Sequence, residues 1–175
     1  GVCREGTRFV PVKLVDVAGL VPGAHEGRGL GNQFLTDLNE TDVLIHVVDF
    51  SGKTDIEGEA TEGHDPREDI DFLEEELDAW YLDVLEKGLE KFETRYHGAD
   101  AAIEEELADQ MSAFGIDKDR MKRVILAEGL ELDPETWDDA DEASLAREIR
   151  KRTKPMVVAA NKMDTPEAQA NWEEI

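Results

Sequence analysis

The chain is short of cysteine, proline, aromatics and basic charge: one Cys, six Pro and 6% aromatic residues among 175, with 19 Lys and Arg against 43 Asp and Glu. A lone Cys3 cannot close an internal disulfide, so a reducing, cytoplasmic setting is expected. No apolar run approaches the ~20 residues that a membrane-spanning helix needs, and no signal-peptide pattern is visible, so no membrane partner is expected. The scarcity of Lys and Arg argues against direct DNA binding, because phosphate contacts by those residues supply the affinity. Cys3 has no His or Cys at metal-ligand spacing, and His64 and His97 fall at predicted helix boundaries, which suggests no metal site built on these residues.

What the chain has in excess is acid. The net charge is −24, spread along the sequence rather than gathered in a tail. Such a surplus strains a compact state by self-repulsion while keeping it soluble. At molar salt the Debye length falls to ~3 Å and much of that repulsion vanishes, so the composition reads as adaptation to a salty cytoplasm, that of a halophile. The alternative is an acidic helical insertion that carries most of the charge. A length of 175 residues with 40% hydrophobic content suits one domain with room for an insertion.

Three stretches predict strands: 7–15, which is β-rich; 42–50, nearly continuously apolar through Val43, Leu44, Ile45, Val47 and Val48; and 155–160. Continuous apolar strands belong to buried parallel sheets. Between the first two lie a glycine-rich stretch and then Phe34, Leu35 and Leu38 at helical spacing, the order of a crossover unit. His46, on the second strand, reads as a satisfied core histidine. Asp65, Pro66 and Glu68 read as cap, first-turn proline and capping acid. They open a helix over about 66–96, whose residues Leu73, Leu77, Trp80, Tyr81, Val84, Leu85, Leu89, Phe92 and Tyr96 recur at three and four. Further helices are predicted at about 99–113, 118–128 and 141–152, and Thr165-Pro166-Glu167 opens another. A parallel crossover needs only a dozen or so residues. The segment 66–152 is therefore read as one crossover helix plus an inserted antiparallel, coiled-coil-like arm, flanked by the α/β segments 1–65 and 153–175.

Two strings 145 residues apart end predicted strands: Asp16-Val17-Ala18-Gly19 and Asn161-Lys162-Met163-Asp164. Ligands of open α/β sheets bind at the carboxyl ends of strands. In the second string, a DxxG's usual companion NKxD, the Asp164 carboxylate would accept two parallel hydrogen bonds from the ring N–H and exocyclic amine of guanine. Adenine presents an acceptor there and would leave the carboxylate unpaired, a discrimination worth ~10⁴-fold or more. Asn161 would contact the other edge of the base, and the stem of Lys162 would lie over the ring. The plain alternative is a helix-capping Asp after a strand, with Lys162 solvated. In the first string, Asp16 would hold Mg²⁺ through water, the metal bridging β- and γ-phosphates. Gly19 would offer its N–H to the γ-phosphate. The plain alternative is a strand end followed by a glycine turn. Residues 19–32 contain five glycines, as suits a mobile loop. In that loop His25 is the side chain able to polarise a water at neutral pH, or else a solvated loop histidine.

The stretch from Asp16 through Gly19, Leu20, His25, Gly31 and Asn32 to Leu35 resembles the switch region of Obg-like GTPases, in which a hydrophobic residue stands where Ras-like enzymes carry a catalytic Gln. The helical arm before the base-recognition strand resembles the YchF subfamily, and the acidic composition points to an archaeal, haloarchaeal member. The resemblance implies a Ras-like P-loop NTPase fold, α/β with a partial, mostly parallel sheet and an inserted arm. It further implies GTP as substrate, Mg²⁺ as cofactor, hydrolysis, and a partner in the ribosome or translation. By the family's motifs Asp16 and Gly19 map to metal and γ-phosphate, Asn161, Lys162 and Asp164 to the base, and His25 to water activation. Departures accompany the likeness. No GxxxxGK followed by Ser or Thr occurs, and neither a switch threonine nor the family's C-terminal TGS domain is found. The chain is accordingly expected to be an internal piece of a longer protein, weak in nucleotide binding by itself. Two other readings stay open: an ATP-preferring YchF-like regulator, and a non-catalytic acidic helical interaction module.

Overall fold

The computed structural model describes residues 2–4, 7–9, 12–17, 37–38, 41–96 and 102–175. Strands β1 (Val2–Arg4) and β2 (Thr7–Phe9) form an antiparallel pair. Strands β3 (Leu44–Asp49) and β4 (Met156–Asn161) form a parallel pair in register from Leu44 opposite Met156 to Asp49 opposite Asn161. Among the described residues, helices α1 (Pro66–Tyr96), α2 (Ile103–Gln110), α3 (Lys118–Ala127), α4 (Asp139–Thr153) and α5 (Pro166–Glu174) follow or separate them. The order β3–α1…α4–β4–α5 is that of a parallel crossover whose connection has been expanded by helices.

Four of these helices, α1, α3, α4 and α5, start where the sequence supplies a side-chain acceptor for the orphan N–H groups of a first turn, whereas α2 starts after Ala102 without one. Asp65 Oδ1 accepts from the Arg67 N–H at 3.0 Å, ahead of Pro66. Asp117 caps α3 through the Arg120 N–H at 2.8 Å. Asp138 and Asp141 form a reciprocal capping box on α4. Thr165 Oγ1 accepts from the Ala168 N–H to open α5.

The apolar stripe of α1 is shared between two tasks. Its later half, Tyr81, Leu85 and Leu89, joins Ile103, Leu107, Met111, Met121, Ile125, Leu145 and Ile149 in the largest buried cluster, so the arm has its own core. Tyr81 stacks on Phe114 with centroids 4.2 Å apart, and its hydroxyl meets Thr153 Oγ1 at 2.8 Å. Burial pushes the Tyr81 phenol up to about 12, against the smaller opposing effects of Thr153 and Arg150. Gly88 is where α1 and α2 approach closely: a Cβ there would lie 2.9 Å from Leu107 Cδ2. Arg150 of α4 is buried against α1, donating to Asp78 Oδ1 at 2.7 Å and Glu74 Oε2 at 3.3 Å. The earlier half of α1 packs under the sheet, with Leu73 and Leu77 against Leu44 and Leu38, and Ile70 with Val48 and Phe50.

Three expectations need correction. Of the strand predicted over 7–15, Thr7–Phe9 is described as a strand, whereas 12–17 has no regular structure, with Val12 81% and Leu14 79% exposed. A strand exists only through its ladder, and among the described residues 12–17 has no neighbouring strand to pair with. The pair β3–β4 is covered on one face only. Val48 is buried, whereas Ile45, Val47 and Val157 on the other face are 59%, 61% and 58% exposed. The apolar composition of these strands anticipates cover on both faces, and no described element supplies the second. His46 is only partly satisfied: its Nδ1 is buried with no hydrogen-bond partner among the described residues. Burial lowers its pKa, with Asp69 opposing weakly, so the neutral ring is the stable form. The helix predicted at 99–113 is described from Ile103 and gives way after Gln110 to a tight turn at Ser112–Phe114. Of the helix predicted near 32–38, Asp37 and Leu38 are described and are helical.

Candidate functional site

The parallel register sets the site. It brings the last residues of β3 and β4, Asp49 and Asn161, side by side at the carboxyl edge, and α5 begins five residues after Asn161. The intervening loop alternates in burial with its chemistry. Met163 turns inward to pack on Val48, Phe50 and Ala168, while Asn161, Lys162 and Asp164 are exposed. One apolar anchor thus fixes a loop whose polar residues all face outward.

The loop is tied at both ends. Asn161 Oδ1 accepts from the Lys162 N–H at 2.9 Å. The Lys162 carbonyl accepts from both the N–H and the Oγ1 of Thr165, at 3.0 and 2.9 Å. Gln169 Nε2 donates to the Met163 carbonyl at 3.2 Å. Lys162 has φ +60°, the left-handed region that side chains other than glycine rarely occupy. Its Nζ donates to Asp49 Oδ2 at 2.9 Å.

Asp49 is the residue that inspection of the motifs missed. Its carboxylate also accepts from the Ser51 N–H at 2.9 Å, the Ser51 hydroxyl at 2.7 Å and the Thr54 hydroxyl at 2.7 Å. Burial alone would raise its pKa, but the bonds from Ser51, Lys162 and Thr54 outweigh it and hold the carboxyl well below the usual carboxylate range. The available signal was an acid ending an apolar strand, followed within five residues by two hydroxyl donors. The segment after Asp49 folds back as a small hairpin closed by the Thr54–Ala60 bridge. Gly52 is obligatory there: its φ is +64°, and a Cβ would meet the His64 carbonyl oxygen at 2.5 Å. Asn171 of α5 donates to the Phe50 carbonyl at 2.8 Å, and Lys53 pairs with Glu167 at 3.2 Å. The two strand ends and α5 therefore form one hydrogen-bonded unit.

The predicted residues divide sharply. Asn161, Lys162 and Asp164 share that loop. Asp16 is exposed, and among the described residues no hydrogen bond or ion pair links it to them. Its neighbour Val17 packs on the Leu38–Leu77 cluster, on which Leu44 also packs. Gly19, Leu20 and His25 lie outside the described residues. Among the described residues no three His, Cys, Asp or Glu side chains gather as a metal site. Mg²⁺ that arrives on nucleotide phosphates needs only one or two protein carboxylates, a requirement that the solvent-accessible Asp16 fits. A cavity of about 200 Å³ beside His64, Asp65 and Asn171 and one of about 460 Å³ beside Arg120, Arg123 and Arg152 both lie away from the loop. Among the described residues no helix is long and apolar enough to cross a membrane.

A family profile described as "50S ribosome-binding GTPase" matches residues 4–87. An uncharacterized GTP-binding protein of Methanocaldococcus jannaschii is 47% identical over 173 residues, covering 99% of this chain and 43% of that protein. The protein named "Ribosome-binding ATPase YchF" of Haemophilus influenzae is 34% identical over 131 residues, covering 67% and 36%. A protein named "GTPase Obg" of Natranaerobius thermophilus is 43% identical over 84 residues, covering 48% and 16%. The crystal structure of a GTP-binding protein from Pyrococcus horikoshii matches with a TM-score of 0.72 and 41% identity, over 81% of this chain and 42% of that one. The chain spans less than half the length of these relatives. With the parallel pair, the expanded crossover and the loop of Asn161 to Asp164 in place, the chain has the Ras-like GTPase fold and is similar in sequence to the Obg/YchF-like GTP-binding proteins.

Proposed function

We propose that the protein binds GTP and hydrolyses it, as a member of the YchF side of this family acting with the ribosome. The observation that carries the reading is the Asn161–Asp164 loop, set by its register and its inward Met163 so that an amide, an ammonium and a carboxylate project together from the carboxyl edge. Asp164 pairs with the guanine edge, Asn161 with the opposite edge, and the Lys162 stem covers the ring. The carboxylate would be left unpaired by adenine, which is the basis of selectivity.

On the phosphate side, Asp16 supplies a carboxylate toward Mg²⁺, and Gly19 an N–H toward the γ-phosphate. The metal's contribution is to neutralise charge building between the β- and γ-phosphates. With Leu20 where Ras-like enzymes carry a glutamine, His25 orients the attacking water. Segments 1–65 and 153–175 make the nucleotide unit, and 66–152 is an arm suited to a partner surface. Ribosome association is supported by the description of the matching family and by the names of the YchF relatives.

A second reading has a specific observation behind it: those same relatives are named as ATPases. Titration of GDP and ADP against the full-length protein separates the two. A preference for GDP that Asp164→Ala removes supports the guanine reading, and equal or reversed affinity overturns it.

A further inference from the structure

Asp49 has no role in the motif chemistry, yet four of the site's hydrogen bonds end on its carboxylate. It closes β3 directly opposite Asn161, and its side chain is 13% exposed. A carboxylate offers about four lone-pair positions, and four donors meet this one: two from Ser51, one from Thr54 and one from Lys162. Saturated in this way, it is not free to ligate a cation or take a proton. What it can do is hold. Ser51 and Thr54 belong to its own strand's continuation and orient it, and Lys162 is the contact that crosses to β4.

We propose that Asp49 is the positioning residue of the base-recognition loop, pinning the Lys162 ammonium so that Asn161 and Asp164 face the purine in one fixed arrangement. This rests on the reading of 161–164 as the base loop. The backbone at Lys162 supplies the reason a pin is needed. Its left-handed φ of +60° is unfavourable for a lysine, and it is the turn that sends Met163 inward between two outward neighbours. Outside the backbone the Asn161 side chain on the Lys162 N–H, the Thr165 hydroxyl on the Lys162 carbonyl and Asp49 on the ammonium hold that turn, and of these the Asp49 contact is the one that comes from β3. A lysine stem otherwise samples many rotamers. With its end fixed on β3 it lies across the strand ends, and the ordering that ligand binding would demand is already in place. The ion pair also cancels the charge of Lys162 locally, which leaves Asp164 as the uncompensated charge of the loop and guanine's two donors as its partner.

The test is a double-mutant cycle in the full-length protein, reading the Kd for GDP and for ADP by displacement of a fluorescent nucleotide. Asp49→Asn keeps the shape but turns an N–H₂ toward the ammonium. It is expected to weaken GDP by about tenfold, the loss of one charge-assisted hydrogen bond, and to change ADP little. Lys162→Met is expected to lower the GDP preference by a similar factor, and the double variant to be no worse than either single one. A merely structural Asp49 would lower stability and leave the GDP:ADP ratio alone. An unchanged ratio in Asp49→Asn, or single losses that multiply in the double variant, overturns the proposal. Should Asp49→Asn fail to fold, hydrogen exchange of the 161–164 amides in Lys162→Met decides: faster exchange supports the pin, and unchanged exchange refutes it. A wild-type protein that binds both nucleotides equally overturns the base-loop reading as well. A wild-type preference for GDP that survives Asp49→Asn overturns the pin alone.

Discussion

Replacing Arg150 by methionine tests whether the arm is locked to the crossover helix by charge or only by packing. Arg150 is 2% exposed. Its bonds to Asp78 and Glu74 link α4 to α1 across 72 and 76 residues of sequence. Removing one partner of a buried pair costs about 3–5 kcal/mol, because the other charge is left uncompensated. Asp78 softens that cost here: its side chain is 19% exposed and keeps Arg147 at 3.2 Å. Methionine also refills most of the aliphatic volume. The expected loss in Arg150→Met is therefore about 2–3 kcal/mol. Asp78→Leu should cost as much or more, since it leaves a buried arginine that cannot shed its proton with only the longer Glu74 contact. The double variant should recover part of the sum, with a coupling of about 1.5–2.5 kcal/mol. Urea unfolding at 0.1 and 1 M KCl measures this, and the buried pair should lose little of its coupling to screening. A loss below about 0.5 kcal/mol, the range of ordinary surface changes, with no coupling, would refute the reasoning.

Gly88→Ala should gain about 1 kcal/mol of helix propensity yet lower stability by about 1–2 kcal/mol net, because its Cβ would meet the buried Leu107; a raised Tm would contradict the close approach. Glu142 is half-buried, and that burial together with Glu86, Asp139 and Glu93 raises its pKa in the folded state. The stability linked to its proton is full below the unfolded pKa and lost as pH rises through the folded one. Glu142→Gln should therefore stabilise at pH 7 and have no effect near pH 3 in paired unfolding curves. With a net charge of −24, Tm should climb as KCl is raised from 0.1 to 2 M; a flat or falling Tm would sink the halophile reading.

The helical half of the fold was open to inspection because its signals are local. The Asp-Pro start of α1, the capping acids of α3 and α4 and the three-and-four spacing of apolar residues each act within one turn. The β half depends on partners that no local signal names. Among the described residues, 12–17 have strand composition without a ladder, and Ile45, Val47 and Val157 have core composition without cover. The candidate site shows the same division. Asn161 and Asp164 were legible as a motif from their spacing, and the structure sets them in one exposed loop. Asp49 was not, since its role follows from a register that sets it beside Asn161 and a lysine that reaches back 113 residues. His46 shows the limit of composition from the other side: a polar residue on an apolar strand was expected to find a partner, and its Nδ1 has none among the described residues.

The most direct test of the central claim, that the Asn161–Asp164 loop reads guanine, is the ratio of GDP to ADP affinity in the full-length protein before and after Asp164→Ala. A wild-type ratio favouring GDP by about 10²-fold or more, falling to near unity in the variant, is the result expected of a carboxylate that pairs with two guanine donors. A ratio near unity in the wild type, or one that Asp164→Ala leaves unchanged, would contradict it.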